Sequence, residues 1–198
     1  MDDAEGFGRM NLFAAADGFG AFNGDVAVTM DASRGGFHAA DTWRNAIGGA
    51  GKLTKLGTGT LTLAGSNAYS GGTQVQDGTL VAASAGALGK GVVYVSGSGT
   101  LKIAASTAAK AGADYTQTGD AVLEVTAGSA AALQVAGKAT LDTGSTLRVN
   151  FATAASAGQV IPVIQAGTLL GKFGHIALPA GVKASPVYEA GGMSLRVQ

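Results

Sequence analysis

Apolar and polar residues alternate along this chain in short bursts. Thr60-Leu61-Thr62-Leu63 is the clearest of them, a period-two pattern with two leucines on one face of a strand and two threonines on the other. The phase returns as Gly78-Thr-Leu-Val-Ala82, Gly99-Thr-Leu-Lys-Ile103, Ala121-Val-Leu-Glu-Val125 and Ser145-Thr-Leu-Arg-Val149. The leucines of the first four copies stand at 61, 80, 101 and 123, steps of 19, 21 and 22 residues, and Val75 and Val95 keep a second track 20 apart. Gly57, Gly59, Gly65, Gly71, Gly72 and Gly78 break the chain every few residues, so no helix runs through this region. A near-constant step of this kind is a repeat. It is too short for a βαβ unit of roughly 30 residues or a propeller blade of about 40–45. It fits one turn of a parallel β-helix, whose coils stack at the ordinary strand spacing of about 4.8 Å. The pattern therefore predicts an all-β, right-handed parallel β-helix over residues 25–197 with no helix longer than two turns. Leu61, Leu80, Leu101 and Leu123 point inward and stack; threonine, serine and lysine face out.

Asn23, Asn45 and Asn67 fall at two steps of 22. Two readings of this track stand: stacked asparagines sharing side-chain hydrogen bonds, as in cross-β ladders, or separate turn residues that tolerate a left-handed backbone.

Composition narrows the function classes. Of 198 residues, 33 are glycine and only 13% are charged, with 13 acidic side chains against 13 basic. A neutral, charge-poor chain lacks the basic footprint of a nucleic-acid binder, and no polybasic segment addresses an anionic membrane. There is no cysteine, which rules out disulfides and thiolate metal sites. No run of about 18 apolar residues encodes a transmembrane helix. The acidic start, Met1-Asp-Asp-Ala-Glu-Gly, has no apolar core and is no secretory signal; an exported parent would carry its signal upstream.

Residues 51–73 read Gly-x-Leu-Thr-Lys-x-Gly-x-Gly-Thr-Leu-x-Leu-x-Gly-x-Asn-x-Tyr-x-Gly-x-Thr. In these letters the segment resembles the passenger-associated transport repeat, or autotransporter-associated β-strand repeat, of autotransporter proteins. Trp43-Arg-Asn-Ala-Ile47 resembles the strand that enters such a repeat, with alanine at 46 where the family has an acid. Gly6-Phe-Gly-Arg-Met-Asn-Leu-Phe-Ala-Ala-Ala-Asp-Gly18 resembles the last helix of a subtilisin-like protease domain leading into an autotransporter stem. Residues 145–197 resemble the autochaperone segment that precedes the membrane barrel, through Leu147-Arg-Val, Val160-Ile-Pro-Val-Ile-Gln-Ala, Gly171-Lys-Phe-Gly, Leu178-Pro and Ser194-Leu-Arg-Val. The resemblance implies three parts: residues 1–24 as the remnant and linker of an upstream subtilisin-like domain, 25–144 as β-helix stem, and 145–198 as an autochaperone-like C-terminal β-helix segment. The first is expected to form a short N-terminal cap, helical or irregular, in which Gly18-Phe-Gly-Ala-Phe22 has no repeat to join.

Catalytic chemistry was sought in the residues themselves. A serine-protease triad needs a nucleophile, a histidine and an orienting acid. Only His38 and His175 exist, neither in a hydrolase motif, and no Gly-x-Ser-x-Gly elbow occurs. Both histidines read as surface or turn residues. A polysaccharide-cleaving β-helix needs clustered carboxylates in a groove. Asp114, Asp120, Glu124 and Asp142 form only a loose grouping, better read as solvated turns and edges. Gly97-Ser-Gly-Thr lacks the lysine of a phosphate loop, and the calcium-binding Gly-Gly-x-Gly-x-Asp repeat does not occur. Aromatics crowd the ends: Phe7, Phe13, Phe19 and Phe22 in the first segment, and Phe151, Phe173 and Tyr188 in the last. They read as covers over the open core, against the alternative of a carbohydrate platform on Trp43 and Tyr69.

These readings lead to no catalytic, cofactor-binding or metal residues, no cofactor, and no enzyme in this chain, although a longer parent of the implied type is a subtilisin-like serine protease. The function expected is that of a non-catalytic, monomeric β-helical stem of a type V secretion passenger. It assists outer-membrane translocation and folding and holds an upstream protease domain off the cell surface. Its partners are its own outer-membrane β-barrel and the upstream passenger domain, and its place is the bacterial surface. The alternative is an adhesin-type module whose coil face contacts host glycans or proteins; the short loops between strands offer no obvious insertion for that role.

Overall fold

The computed structural model describes residues 17–104, 108–151 and 155–198. The part of the protease-helix resemblance before residue 17, with Phe7 and Phe13, lies outside the described residues. Strands come in pairs, one pair per coil. They are β1 (Val26–Thr29) and β2 (Ala40–Trp43), β3 (Leu53–Leu56) and β4 (Thr60–Leu63), β5 (Thr73–Val75) and β6 (Thr79–Ala82), β7 (Val93–Val95) and β8 (Thr100–Ile103). After β9 (Ala109–Ala111) follow β10 (Tyr115–Gln117) and β11 (Val122–Ala127), β12 (Leu133–Leu141) and β13 (Thr146–Phe151), β14 (Val160–Gly171) and β15 (His175–Ala177), and finally β16 (Ala184–Glu189) and β17 (Gly192–Val197). Helix among the described residues is confined to a 3₁₀ turn, Ala32–Arg34, and one α-turn, Gly36–Ala39.

The first member of each pair joins one sheet, in the order β1-β3-β5-β7-β10-β12-β14-β17-β16. The second joins another, β15-β13-β11-β8-β6-β4-β2, except in the last pair, whose two strands both lie in the first sheet. From β1 to β15 each strand pairs in parallel with the strand about one coil away, which makes the molecule a parallel β-solenoid. The leucine column is as the spacing requires. Leu61 pairs with Leu80, Leu80 with Leu101, Leu101 with Leu123 and Leu123 with Leu147, and all five are fully buried. Each such side chain contributes roughly 1.5–3 kcal/mol by leaving water. Between the sheets the chain turns on glycines. Gly78 has φ +62, and a Cβ there would run into the carbonyl oxygen of Gly57 one coil away, so the turn admits no side chain.

Four expectations change on contact with the structure. The parallel coil does not run to residue 197: β17 pairs antiparallel with β14 and with β16. A chain that ends in a hairpin satisfies the outer edge of β14 by folding back on it, where another parallel rung would need another full coil. At the other end, Phe22 does join the coil. Ala21 bridges Gly48 in parallel, Phe22 N–H donates to Gly48 O at 2.8 Å, and the Phe22 ring is fully buried. A large apolar ring finds more area to bury by extending the core than by standing apart from it. Third, one connection is long. Residues 30–39 replace the tight turn between β1 and β2 and carry Phe37, 82% exposed. Fourth, lysine is not confined to the outer face: Lys55 lies in the inward phase and is fully buried.

Aromatic rings stand at both ends of the core, and Tyr115 is fully buried in the middle coils. Phe22 lies 5.0 Å from Tyr69 and 6.5 Å from Trp43, with Phe19 5.2 Å from Trp43, all between ring centroids. At the far end Phe173 is buried, and its N–H donates to the Tyr188 hydroxyl. Trp43 and Tyr69 are both buried, so they offer no exposed carbohydrate platform.

Candidate functional site

The densest polar construction in the molecule is the Gly51–Ala82 segment, and it faces the core. Lys55 alternates in phase with Leu53, which forces its side chain inward. Its ammonium reaches the turn between the sheets and donates to Leu56 O at 2.9 Å, Gly57 O at 2.7 Å and Asp77 O at 3.3 Å. Burial pushes the Lys55 pKa down, with the Asp77 carboxylate pulling the other way. Asp77 in turn accepts from Gly78 N–H at 2.7 Å and from the Ser98 hydroxyl at 2.8 Å, which hold its carboxyl below the usual range. Lys55, Asp77 and Ser98 thus clamp the same turn in three successive coils.

The return loop carries a second network. The Asn67 side-chain oxygen accepts from Ile47 N–H at 2.9 Å, and its amide donates to Ala87 O at 2.7 Å. Asn67 spends both ends of its amide on main chain in the coils on either side, so it is a bridge between coils and not a rung of an asparagine ladder. Asn45 makes a related contact, donating to Gly18 O at 2.9 Å. Thr73 donates to Leu88 O at 3.0 Å, which leaves its oxygen to accept from the Tyr69 hydroxyl at 2.6 Å. Burial pushes the Tyr69 pKa up to about 12, with the bond to Thr73 opposing. Every buried side-chain nitrogen or oxygen among the described residues has a partner. Networks satisfied in this way fix register, because a coil slipped by one residue would strand several groups at once.

The other residues singled out in the sequence do not converge. His38 sits beside β2 and His175 in β15, at opposite edges of one sheet and so about 30 Å apart at 4.8 Å per strand. Both are exposed. Asp114 accepts from Lys138 N–H, Asp142 from Gly144 N–H, and Asp120 lies in an exposed turn. Glu124 pairs across coils with Lys102 at 2.8 Å and Arg148 at 3.1 Å. Burial alone would raise its pKa; the two cations outweigh that and lower it. No three His, Asp or Glu among the described residues group to hold a metal ion. The buried lysine is a residue the sequence reading missed; Leu53 and Lys55 share one phase of one strand, but the sequence does not show the carbonyl oxygens that receive the ammonium.

Residues 53–82, which include Lys55, Asn67, Tyr69, Thr73 and Asp77, match the family model of the passenger-associated-transport-repeat. Over 77 residues the chain is 42% identical to the adhesin BmaC autotransporter of Brucella suis biovar 1 (strain 1330), covering 36% of this chain and 2% of that protein. Over 61 residues it is 49% identical to an extracellular serine protease of Serratia marcescens, covering 31% of this chain and 6% of the protease. A second Serratia marcescens extracellular serine protease is 48% identical over the same length. The chain thus spans only a few per cent of the relatives it matches. The fold is a β-solenoid in which one segment, residues 53–82, carries the passenger-associated-transport-repeat.

Proposed function

We propose that this chain serves as the non-catalytic stem of an autotransporter passenger. It supports outer-membrane translocation and folding and spaces an upstream protease domain from the cell surface, where its partners are that domain and the passenger's own β-barrel. The observation that carries the reading is the polarity of the solenoid. Its C-terminal end turns back on itself, β17 running antiparallel to β14 and β16 antiparallel to β17, while at the other end β1 and β2 are parallel rungs of the coil, each paired with one neighbouring strand. A closed end that forms first offers a ready edge for each coil that follows, and adding a coil to an edge avoids the slow closure of distant strands. The relatives named as autotransporter adhesin and extracellular protease support the same setting. No described helix is long and apolar enough to cross a membrane.

The test is surface display. The full chain is placed between a reporter domain and an autotransporter barrel in a Gram-negative host, and reporter on the cell surface is measured. Deleting residues 145–198 should abolish most display, whereas deleting one middle coil, residues 73–92, should leave the greater part. Equal losses from the two deletions would contradict a templating stem.

A further inference from the structure

From β9 onward the solenoid acquires a third side. Lys110, Gln134 and Gln165 stand side by side there in consecutive rungs, with Lys110 paired to Gln134 and Gln134 to Gln165. Just past them β12 shifts register between Val135 and Lys138, where the strand turns from this side onto the next. The bend makes the surface concave. It opens a groove of about 530 Å³ whose walls are these three side chains and whose floor is small: Ala111, Gly112, Val135, Ala166 and Gly167. A second hollow of about 480 Å³ shares Gln134 and Gln165 and runs on past Pro162 to Ser194 and Glu189.

We infer that this groove binds a neutral, hydroxyl-rich linear chain, an oligosaccharide, through the amides of Gln134 and Gln165. Neither glutamine has a side-chain hydrogen bond within the described residues, so both amides are available to a ligand. Each primary amide both donates and accepts, and so suits a hydroxyl, which does the same. The two amides stand one rung apart, about 4.8 Å, close to the length of a pyranose ring. The small floor lets a ring lie against the main chain. Charge argues for a neutral ligand, since Lys110 at one end is balanced by Glu189 at the other. An extended peptide is disfavoured because it would need a free strand edge: β12 is paired on both sides, to β9 and β14, and on the far side of β9 the Lys110 N–H is already spent on Ala85 O. A lipid chain would find alanine and glycine where it needs larger apolar side chains. The groove's size lies within the range that holds small ligands. With no aromatic for a sugar to stack on, binding is weak, with Kd about 0.1–1 mM.

The site goes beyond the stem role, and its test does not depend on secretion. The full 198-residue chain, ¹⁵N-labelled, is titrated separately with cellotetraose and chitotetraose while amide shifts are followed. At least one sugar should produce saturable shifts at the Gln134 and Gln165 side-chain amides and at Lys110–Gly112. Gln134→Ala/Gln165→Ala should bind about tenfold more weakly, the loss expected of two hydrogen bonds, with the urea midpoint unchanged. Gln165→Ala alone, at an exposed position, provides a milder variant with the same direction of effect. No saturable shift with either sugar, shifts confined to another face, or undiminished binding by both variants would each overturn the proposal.

Discussion

Lys55 shows how a single side chain can belong to a motif for a reason that composition hides. It is a cation inside a column of valine and leucine, and its function there is to satisfy three carbonyl oxygens at a turn too tight for any other donor of that reach. Lys55→Met should fill the same volume and take the lysine donor from Gly57 O and Asp77 O, while Leu56 O keeps its bond from Met30 N–H, costing about 1–3 kcal/mol in urea unfolding at pH 7. The pH dependence has a definite sign. The folded pKa lies below 10.5, so in that window the unfolded chain binds more protons and this group's contribution to stability rises with pH. The gap between wild type and Lys55→Met should therefore widen as pH is raised towards 10.5. A gap that narrowed would mean the ammonium is better stabilised folded than free. The general phase of Leu53-Thr-Lys-Leu was readable in the sequence. The burial of its lysine was not, because the carbonyl oxygens that make burial tolerable come from turns a coil apart.

At the scale of the strand, the ladder Lys102–Glu124–Arg148 ties β8, β11 and β13 across the outer face of the sheet. In sequence these residues are 22 and 24 apart, and once the leucine column sets the register their adjacency follows. Both cations are about half exposed, so the ladder is a modest stabiliser. Glu124→Gln should cost about 0.5–1 kcal/mol at pH 7 and low salt, and less in 1 M NaCl. Because the folded pKa of Glu124 is lowered, this stability is present in full above about pH 4.5 and is lost as pH falls through the folded value. Wild type and variant should then converge in acid-titrated unfolding. The register of β16 and β17 was less legible. Their alternation resembles that of the coil strands, and nothing in a period-two pattern states whether a neighbour runs parallel or antiparallel; the short connection Ala190–Gly191 between them decides it.

For the whole molecule, the governing fact is that each coil buries its apolar face only against its neighbours, so stability is a sum along one dimension. Leu101 lies between Leu80 and Leu123, and Leu101→Ala should cost about 2–5 kcal/mol by opening a cavity that touches two coil interfaces. Thr100→Ala, one residue away on the outer side, should change the urea midpoint little. Comparable losses at the two positions would mean the leucines are not the structural column. The repeat spacing made this column legible from the start, and with it the fold. The groove on the third side was not legible, because Lys110, Gln134 and Gln165 belong to no repeating motif and meet only where β12 bends. Large apolar side chains are numerous in residues 160–176, yet they do not make that segment the better-filled end. Val160 and Leu170 are half exposed, and the middle coils hold the full leucine column.

What remains to distinguish the ends is topology: β14 is the longest strand, and β12, β17 and β16 are all held to it directly or through one neighbour. The measurement that addresses the templating stem most directly is native-state hydrogen exchange of the full chain across a urea series, read by mass spectrometry. Amides of β12, β14 and β17 should exchange last, at the free energy of global unfolding, with β1 to β4 opening at lower urea as a separate unit. If β4, β6 and β8 instead hold protection longest while β14 to β17 exchange first, the C-terminal end is not the seed of the coil, and the proposed mechanism is contradicted.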